Sequence, residues 1–174
     1  MRRRMKILVV YYSRTGRTKK AARKIAELLL KSGHEASLEE IVDKKKRSGI
    51  IGWIKSGRDA TLKQKTVIEP FKANLSSFDL VIVGTPVWAF TVATPVRTAC
   101  MERAKEMKEV AFYCTMRSSG AKNTFRTLEQ LCGKSPLATL ALIDKHVWRD
   151  DESEFLARTK SFVEELVAAL KKTR

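Results

Sequence analysis

The segment richest in chemistry is Ser13-Arg14-Thr15-Gly16-Arg17-Thr18, which follows an apolar run at residues 6–12 and leads straight into a helical pattern. Hydroxyls at near-alternating positions, with one glycine among them, can surround an anion together with free backbone N–H groups. The start of the next helix adds partial positive charge at the same place. By composition this is a phosphate cradle; taken alone, the same residues also suit an ordinary N-capped βα turn. Two other phosphate loops are excluded. A P-loop needs GxxxxGK[ST], and this loop has no Gly-Lys-Ser/Thr element. A dinucleotide fingerprint needs GxGxxG, and only one glycine is present.

The elements that would position this loop alternate strand and helix along the chain. Residues 6–12 read as a strand buried on both faces of a parallel sheet. Ala22, Ile25, Ala26 and Leu29 recur at helical spacing, and Gly33 stops that helix. Residues 34–42 form a second strand with Ala36, Leu38 and Glu40 on one face. Residues 43–77 are irregular, with a short amphipathic turn around Ile50, Ile51, Trp53 and Ile54. The third strand is expected at 78–84. Thr94 is expected to cap the next helix, with Pro95 at its first position and Val96, Ala99, Cys100 and Ala104 on one face. Residues 110–115 and 137–143 supply the fourth and fifth strands, separated by a helix marked by Ala121, Phe125, Leu128 and Cys132. The last helix has an acidic start (Asp150, Asp151, Glu152) and a basic end (Lys171, Lys172, Arg174), and buries Phe155, Phe162, Val163, Leu166, Val167 and Leu170. Right-handed crossovers between five such strands give an α/β three-layer sandwich, here one domain over 1–174 with a basic arm at 1–5. Ligands of such sheets bind beyond the carboxyl ends of the strands, so the loops after the third and fourth strands join the first as candidates. A response-regulator receiver site is excluded, because Tyr11-Tyr12-Ser13 offers no acidic residue after the first strand.

Val9-Val10-Tyr11-Tyr12-Ser13-Arg14-Thr15-Gly16-Arg17-Thr18 resembles the FMN-phosphate segment of the flavodoxin family, with Ser13, Thr15, Gly16 and Thr18 on its characteristic positions. That family is the standard case of a flavodoxin-like five-stranded parallel sheet in order 2-1-3-4-5 with FMN at the switch point, a geometry the resemblance implies and the residues alone do not. Gly84-Thr85-Pro86-Val87-Trp88-Ala89 is similar to the family loop that sets an aromatic ring against the isoalloxazine. Trp88 would supply that apolar face, unless it is a core tryptophan beneath the loop; Phe90 is a weaker candidate, and Trp53 and Trp148 are assigned to packing. The resemblance places Thr115-Met116-Arg117-Ser118-Ser119-Gly120 along the pyrimidine edge, where Thr115, Ser118, Ser119 and Gly120 suit the role and Arg117 is either a contact or a surface arginine. The likeness spans residues 6–170, and the absence of a long insertion in the fifth strand points to the short-chain form. It departs from the family in charge. Arg14, Arg17, Arg97 and Arg117 stand in or near the site loops, where the family is typically acidic. Arg97 or Arg117 beside the flavin would make it less reducing than in an acidic flavodoxin.

The chain's formal charge of +16 predicts attraction to acidic partners, anionic cofactors or a membrane surface, including peripheral membrane contact. Nucleic-acid binding as the main role is disfavoured: no aromatics are interleaved with basic clusters such as Lys44-Lys45-Lys46-Arg47. Residues 80–96 carry no charge, but Gly84, Pro86 and Pro95 interrupt a stretch already too short to span a bilayer. Met1-Arg2-Arg3-Arg4 leads into an apolar run too short for a signal sequence, and Cys100, Cys114 and Cys132 are spaced for neither zinc nor a disulfide framework. Reduced thiols and a cytoplasmic location follow. No catalytic acid or base stands out, since His34 lies on the far side of the sheet and His146 reads as a surface residue. One function class is a one-electron carrier between redox partner proteins. Another is an FMN-dependent NAD(P)H or quinone oxidoreductase, or an enzyme of the protoporphyrinogen-oxidase type. A third is a basic binding module that has lost FMN, against which Ser13, Thr15, Thr18 and Trp88 argue.

Overall fold

The first strand, β1 (Lys6–Tyr11), is buried at every position after Lys6, and that burial dictates its place in the middle of the fold. In the computed structural model, which describes residues 4–44, 65–148 and 152–172, β1 pairs in parallel with β2 (Glu35–Glu40) on one side and β3 (Leu80–Trp88) on the other. The sheet continues through β5 (Glu109–Met116) to β6 (Thr139–Ile143), and every one of these pairs is parallel. In order of sequence among the five parallel strands, this is the expected 2-1-3-4-5 arrangement. A sixth strand was not foreseen. β4 (Thr91–Val92) folds back antiparallel on the end of β3, because β3 runs on to Trp88 instead of stopping at Gly84.

Alternate residues of the sheet feed two cores. Ile7, Val9, Ile82 and Leu140 pack under α1 (Arg17–Lys31) and the last helix, α5 (Glu152–Lys172), which contributes Phe155, Phe162, Val163, Leu166 and Leu170. Leu8, Val10, Val81, Val83 and Phe112 pack on the other face with Val96 and Ala99 of α2 (Thr94–Arg103) and Leu128 of α3 (Ala121–Cys132). A single turn of helix, α4 (Asp144–Trp148), follows β6. The three cysteines are all buried free thiols. Among the described residues no helix is long and apolar enough to cross a membrane.

Helix ends follow local chemistry. Gly33, at φ 85°, closes α1, and the amides of Ser32, Gly33 and His34 bond back to Leu28, Leu30 and Leu29 carbonyls at 3.0, 3.0 and 3.1 Å. At α2 the expectation of a Thr94 cap is corrected. Ala93 is the cap residue, Thr94 is the first helical residue, and Pro95 follows it. Thr94 through Cys100 are buried on all sides, so this helix has no polar face for a one-sided pattern to reveal. The turn expected around Ile50, Ile51, Trp53 and Ile54 lies outside the described residues, as do Lys45-Lys46-Arg47, Asp150 and Asp151.

One position has no tolerance for a side chain. Tyr11, Gly84 and Tyr113 lie abreast on β1, β3 and β5, and the Tyr113 ring crosses Gly84 so closely that a Cβ there would overlap Cζ, Cε1 and the hydroxyl. Gly84→Ala is therefore expected to destabilise the protein by about 1–3 kcal/mol or more through overpacking, read as a lowered midpoint in urea unfolding with the slope unchanged.

Candidate functional site

At the carboxyl ends of β1, β3 and β5 the structure opens a cavity of about 480 Å³, within the range of small-molecule and cofactor sites. Its walls are Arg14, Thr15, Arg17 and Thr18 from the first loop, Pro86, Val87 and Trp88 from the end of β3, Thr115, Met116 and Arg117 from the end of β5, and Asp144.

The first loop is shaped from within by Ser13. Its Oγ accepts the amides of Gly16 at 3.1 Å and Lys19 at 3.2 Å, and Gly16 takes the left-handed conformation (φ 88°) that turns the chain into α1. Thr18 is fixed twice. Its hydroxyl lies 2.8 Å from the hydroxyl of Thr115, and its carbonyl accepts the Tyr113 hydroxyl at 3.0 Å. Arg17 donates through Nη1 to Thr15 Oγ1 at 3.4 Å and pairs through Nε with Asp144 Oδ1, also at 3.4 Å. Behind the loop, Glu40 accepts the Tyr11 hydroxyl at 3.3 Å and pairs with Lys19 at 2.7 Å.

The wall at the end of β3 is aromatic and stiff. Trp88 meets the buried Tyr12 edge-on, with ring centroids 5.5 Å apart and planes at 87°. Thr85 is fully buried, and its hydroxyl braces the turn by accepting the Ala93 amide at 3.1 Å and donating to the Pro86 carbonyl at 2.8 Å. Gly120, at φ 112°, fits against this wall, where a Cβ would come within 2.7 Å of Val87 Cγ1 and 3.0 Å of Phe90 Cα.

Of the sequence-selected residues, Arg14, Thr15, Arg17, Thr18, Pro86, Val87, Trp88, Thr115 and Arg117 share the cavity wall. Ser13, Gly16, Thr85 and Gly120 are not among its lining residues and act on the loops that carry them. Ala89, Ser118 and Ser119 are exposed and outside the lining. Arg97, expected near the site loops, is instead buried in α2 and absent from the cavity wall, because its helix is enclosed on all sides. His34 sits at the opposite end of the sheet, its Nδ1 accepting the Met5 amide at 3.4 Å. The His146 and Trp148 side chains lie outside the described residues. Two lining residues were not selected from sequence. Met116 has no polar group to attract notice, while Asp144 carried a usable signal in its place immediately after the last parallel strand.

A parallel sheet of this order, with a cavity at the carboxyl ends of its strands lined by hydroxyls, arginines and an aromatic ring, defines a flavodoxin-type α/β protein. The family model described as flavodoxin matches residues 6–159, and the chain belongs to the flavodoxin family. A flavoprotein from Lactobacillus acidophilus NCFM, solved in complex with FMN, is 25% identical with a TM-score of 0.67, covering 82% of this chain and 96% of that one. The two-electron reduced flavodoxin of Megasphaera elsdenii superposes with a TM-score of 0.62 at 13% identity, over 93% of this chain and 98% of that one. Oxidised flavodoxin 1 of Bacillus cereus gives a TM-score of 0.58 at 15% identity, over 94% and 97%. No curated protein matches the chain in sequence. The residues present fit FMN: hydroxyls and arginines share the cavity wall with an indole braced by Tyr12.

The tyrosines behind the first loop give the protein a pH limit. Burial, reinforced by Glu40, pushes the Tyr11 hydroxyl up to about 12, and burial raises that of Tyr113 as well. The unfolded value is about 10, so the folded chain holds these protons more tightly. The resulting stability is complete below about pH 10 and is lost as the pH rises from there towards 12. Thermal melts are expected to show the melting temperature falling through that window, and Tyr11→Phe to flatten part of the fall.

Proposed function

We propose that this protein binds FMN in the cavity and works as an electron-transfer protein of the cytoplasm. The observation that carries the proposal is the pairing of a hydroxyl–arginine cradle with the Trp88 wall across one cavity at the carboxyl ends of the strands. When bound, FMN supplies the reversible electron-transfer chemistry. The cofactor seen in the Lactobacillus acidophilus relative supports the choice of FMN.

Thr15, Thr18, Arg14 and Arg17 would hold the phosphate, with the first-turn amides of α1 adding partial positive charge. Ser13 and Gly16 give that loop its shape. Trp88, Val87 and Pro86 provide the apolar face for the ring system and keep water from it. Thr115 and Arg117 border its polar edge, with Gly120 allowing the approach of the two loops. Thr85 steadies the turn behind Pro86, while Ala89, Ser118 and Ser119 stand at the exterior of the same loops. Arg117, at the cavity wall, is the cation placed to make the bound flavin less reducing, whereas Arg97 is buried outside that wall. Buried thiols without a disulfide suit a reducing compartment.

The purified protein is expected to take up FMN stoichiometrically, with flavin absorption in the visible, and to bind riboflavin more weakly for want of the phosphate. Trp88→Ala is expected to weaken FMN about 10- to 100-fold, as loss of one aromatic stacking face does. Fluorescence titration measures both. A spectrum unchanged by NADPH supports the carrier; bleaching by NADPH would establish the NAD(P)H oxidoreductase instead, and failure to bind FMN would leave a basic binding module.

A further inference from the structure

Beside the cavity, β3 turns into β4 through only two residues, Ala89 and Phe90, and both are left-handed, at φ 46° and 61°. This is the geometry of a two-residue hairpin turn that normally takes Asn-Gly, and a non-glycine residue holds it only under strain. Packing of the Phe90 side chain does not explain its presence, because the residue is 66% exposed. Its backbone is held firmly. Asn123 Nδ2 donates to the Phe90 carbonyl at 3.0 Å, and Gly120 leaves room for no more than a hydrogen against Phe90 Cα. The turn thus projects a large apolar ring from a fixed base, next to Trp88 of the cavity wall.

The ground under this knob is positively charged. Arg97, 4% exposed, reaches Thr91 Oγ1 of β4 only at 3.5 Å, and its Nε has no hydrogen-bond partner. Burial pushes its pKa down, yet a guanidinium keeps its proton throughout the working range. Among the described residues no carboxylate pairs with it. A buried, uncompensated cation is weakly screened, and its field extends to the surface above. Arg117 is exposed on the neighbouring loop, and the one carboxylate of the cavity wall, Asp144, already pairs with Arg17.

We propose that the Ala89–Phe90 turn is the docking point for an acidic electron-transfer protein, whose surface offers a recess for Phe90 ringed by carboxylates. The proposal rests on the carrier reading for what is exchanged, though not for the contact itself. A small anion such as a nicotinamide dinucleotide phosphate fills a concave site and gains little from a convex ring. A protein surface with a matching recess buries that ring and meets the surrounding charge.

The test uses the full chain supplied with FMN, an acidic [2Fe–2S] ferredoxin and a basic c-type cytochrome as probes, and Phe90→Gly. Glycine takes a φ of 61° without strain, so this variant should melt no lower than the parent and keep its FMN affinity. Calorimetric titration at low ionic strength is expected to show ferredoxin binding that salt weakens, that Phe90→Gly weakens at least 10-fold, and that Phe90→Tyr restores. The cytochrome is expected not to bind. Equal ferredoxin affinity in parent and Phe90→Gly, or preference for the cytochrome, would overturn the docking point. Phe90→Gly that melts lower or loses FMN would overturn it too, by showing the ring to be structural. Failure of the parent to take up FMN would defeat the carrier reading, while the ferredoxin titration on the same sample would still decide the contact.

Discussion

Tyr113 sits at the centre of the site's construction. Its ring lies across Gly84 of the neighbouring strand, and its hydroxyl reaches over to hold the Thr18 carbonyl at the start of α1. One buried side chain therefore ties β5, β3 and the first loop at fixed separations. Thr18 is then close enough to Thr115 for their hydroxyls to meet at 2.8 Å, which closes the floor of the cavity between the first and third loops. An unmet hydroxyl at this depth would cost about 1–3 kcal/mol, so the tyrosine has strong reason to keep this partner. Burial also raises its pKa, which keeps the hydroxyl a donor. The arrangement needs glycine on the middle strand, tyrosine on the strand beside it, and a helix beginning above both.

Charge is arranged around this frame in two tiers. Inside the cavity Arg17 is shared between Thr15 and Asp144, which orients the guanidinium before any anion arrives. A carboxylate at the cavity wall would repel an anion if left alone; paired with Arg17, it instead limits the surplus positive charge. Outside the cavity wall Arg97 has no such partner among the described residues, and the difference is one of enclosure. Asp144 and Arg17 are each about a third exposed, where an ion pair costs little to form. Arg97 is enclosed by a helix buried from Thr94 to Cys100, where a second charge would have had to be desolvated too.

Much of this was legible in the sequence, and the reasons are specific. β1 shows as an apolar run because both its faces are covered, α1 shows through the spacing of Ala22, Ile25, Ala26 and Leu29, and its end shows at Gly33. Strand order followed from the resemblance carried by Ser13, Thr15, Gly16 and Thr18. The β3–β4 hairpin was not legible, because Ala-Phe is among the least expected pairs for a turn that needs two positive φ angles. Arg97 was misplaced for a related reason. An arginine in a helix that follows a ligand-loop candidate is normally solvent-facing, and nothing local announces that the helix around it is buried on every side.

Counting hydroxyls picks out a loop that does reach the cavity wall and still misjudges what each hydroxyl does. Ser13 and Thr85 both stand in loops chosen for their polar atoms, yet each spends its acceptor capacity on backbone amides left over where the chain turns: Gly16 and Lys19 for one, Ala93 for the other. Such amides sit outside regular ladders, and burying them unpaired is costly, so the nearest small hydroxyl is drawn to them first. Thr15 and Thr18 are the residues left with side chains on the cavity wall. The division between bracing a loop and lining the cavity therefore follows from where the backbone lacks partners. That in turn depends on where strands end and helices begin, so the roles of identical side chains in one short loop are set by the fold.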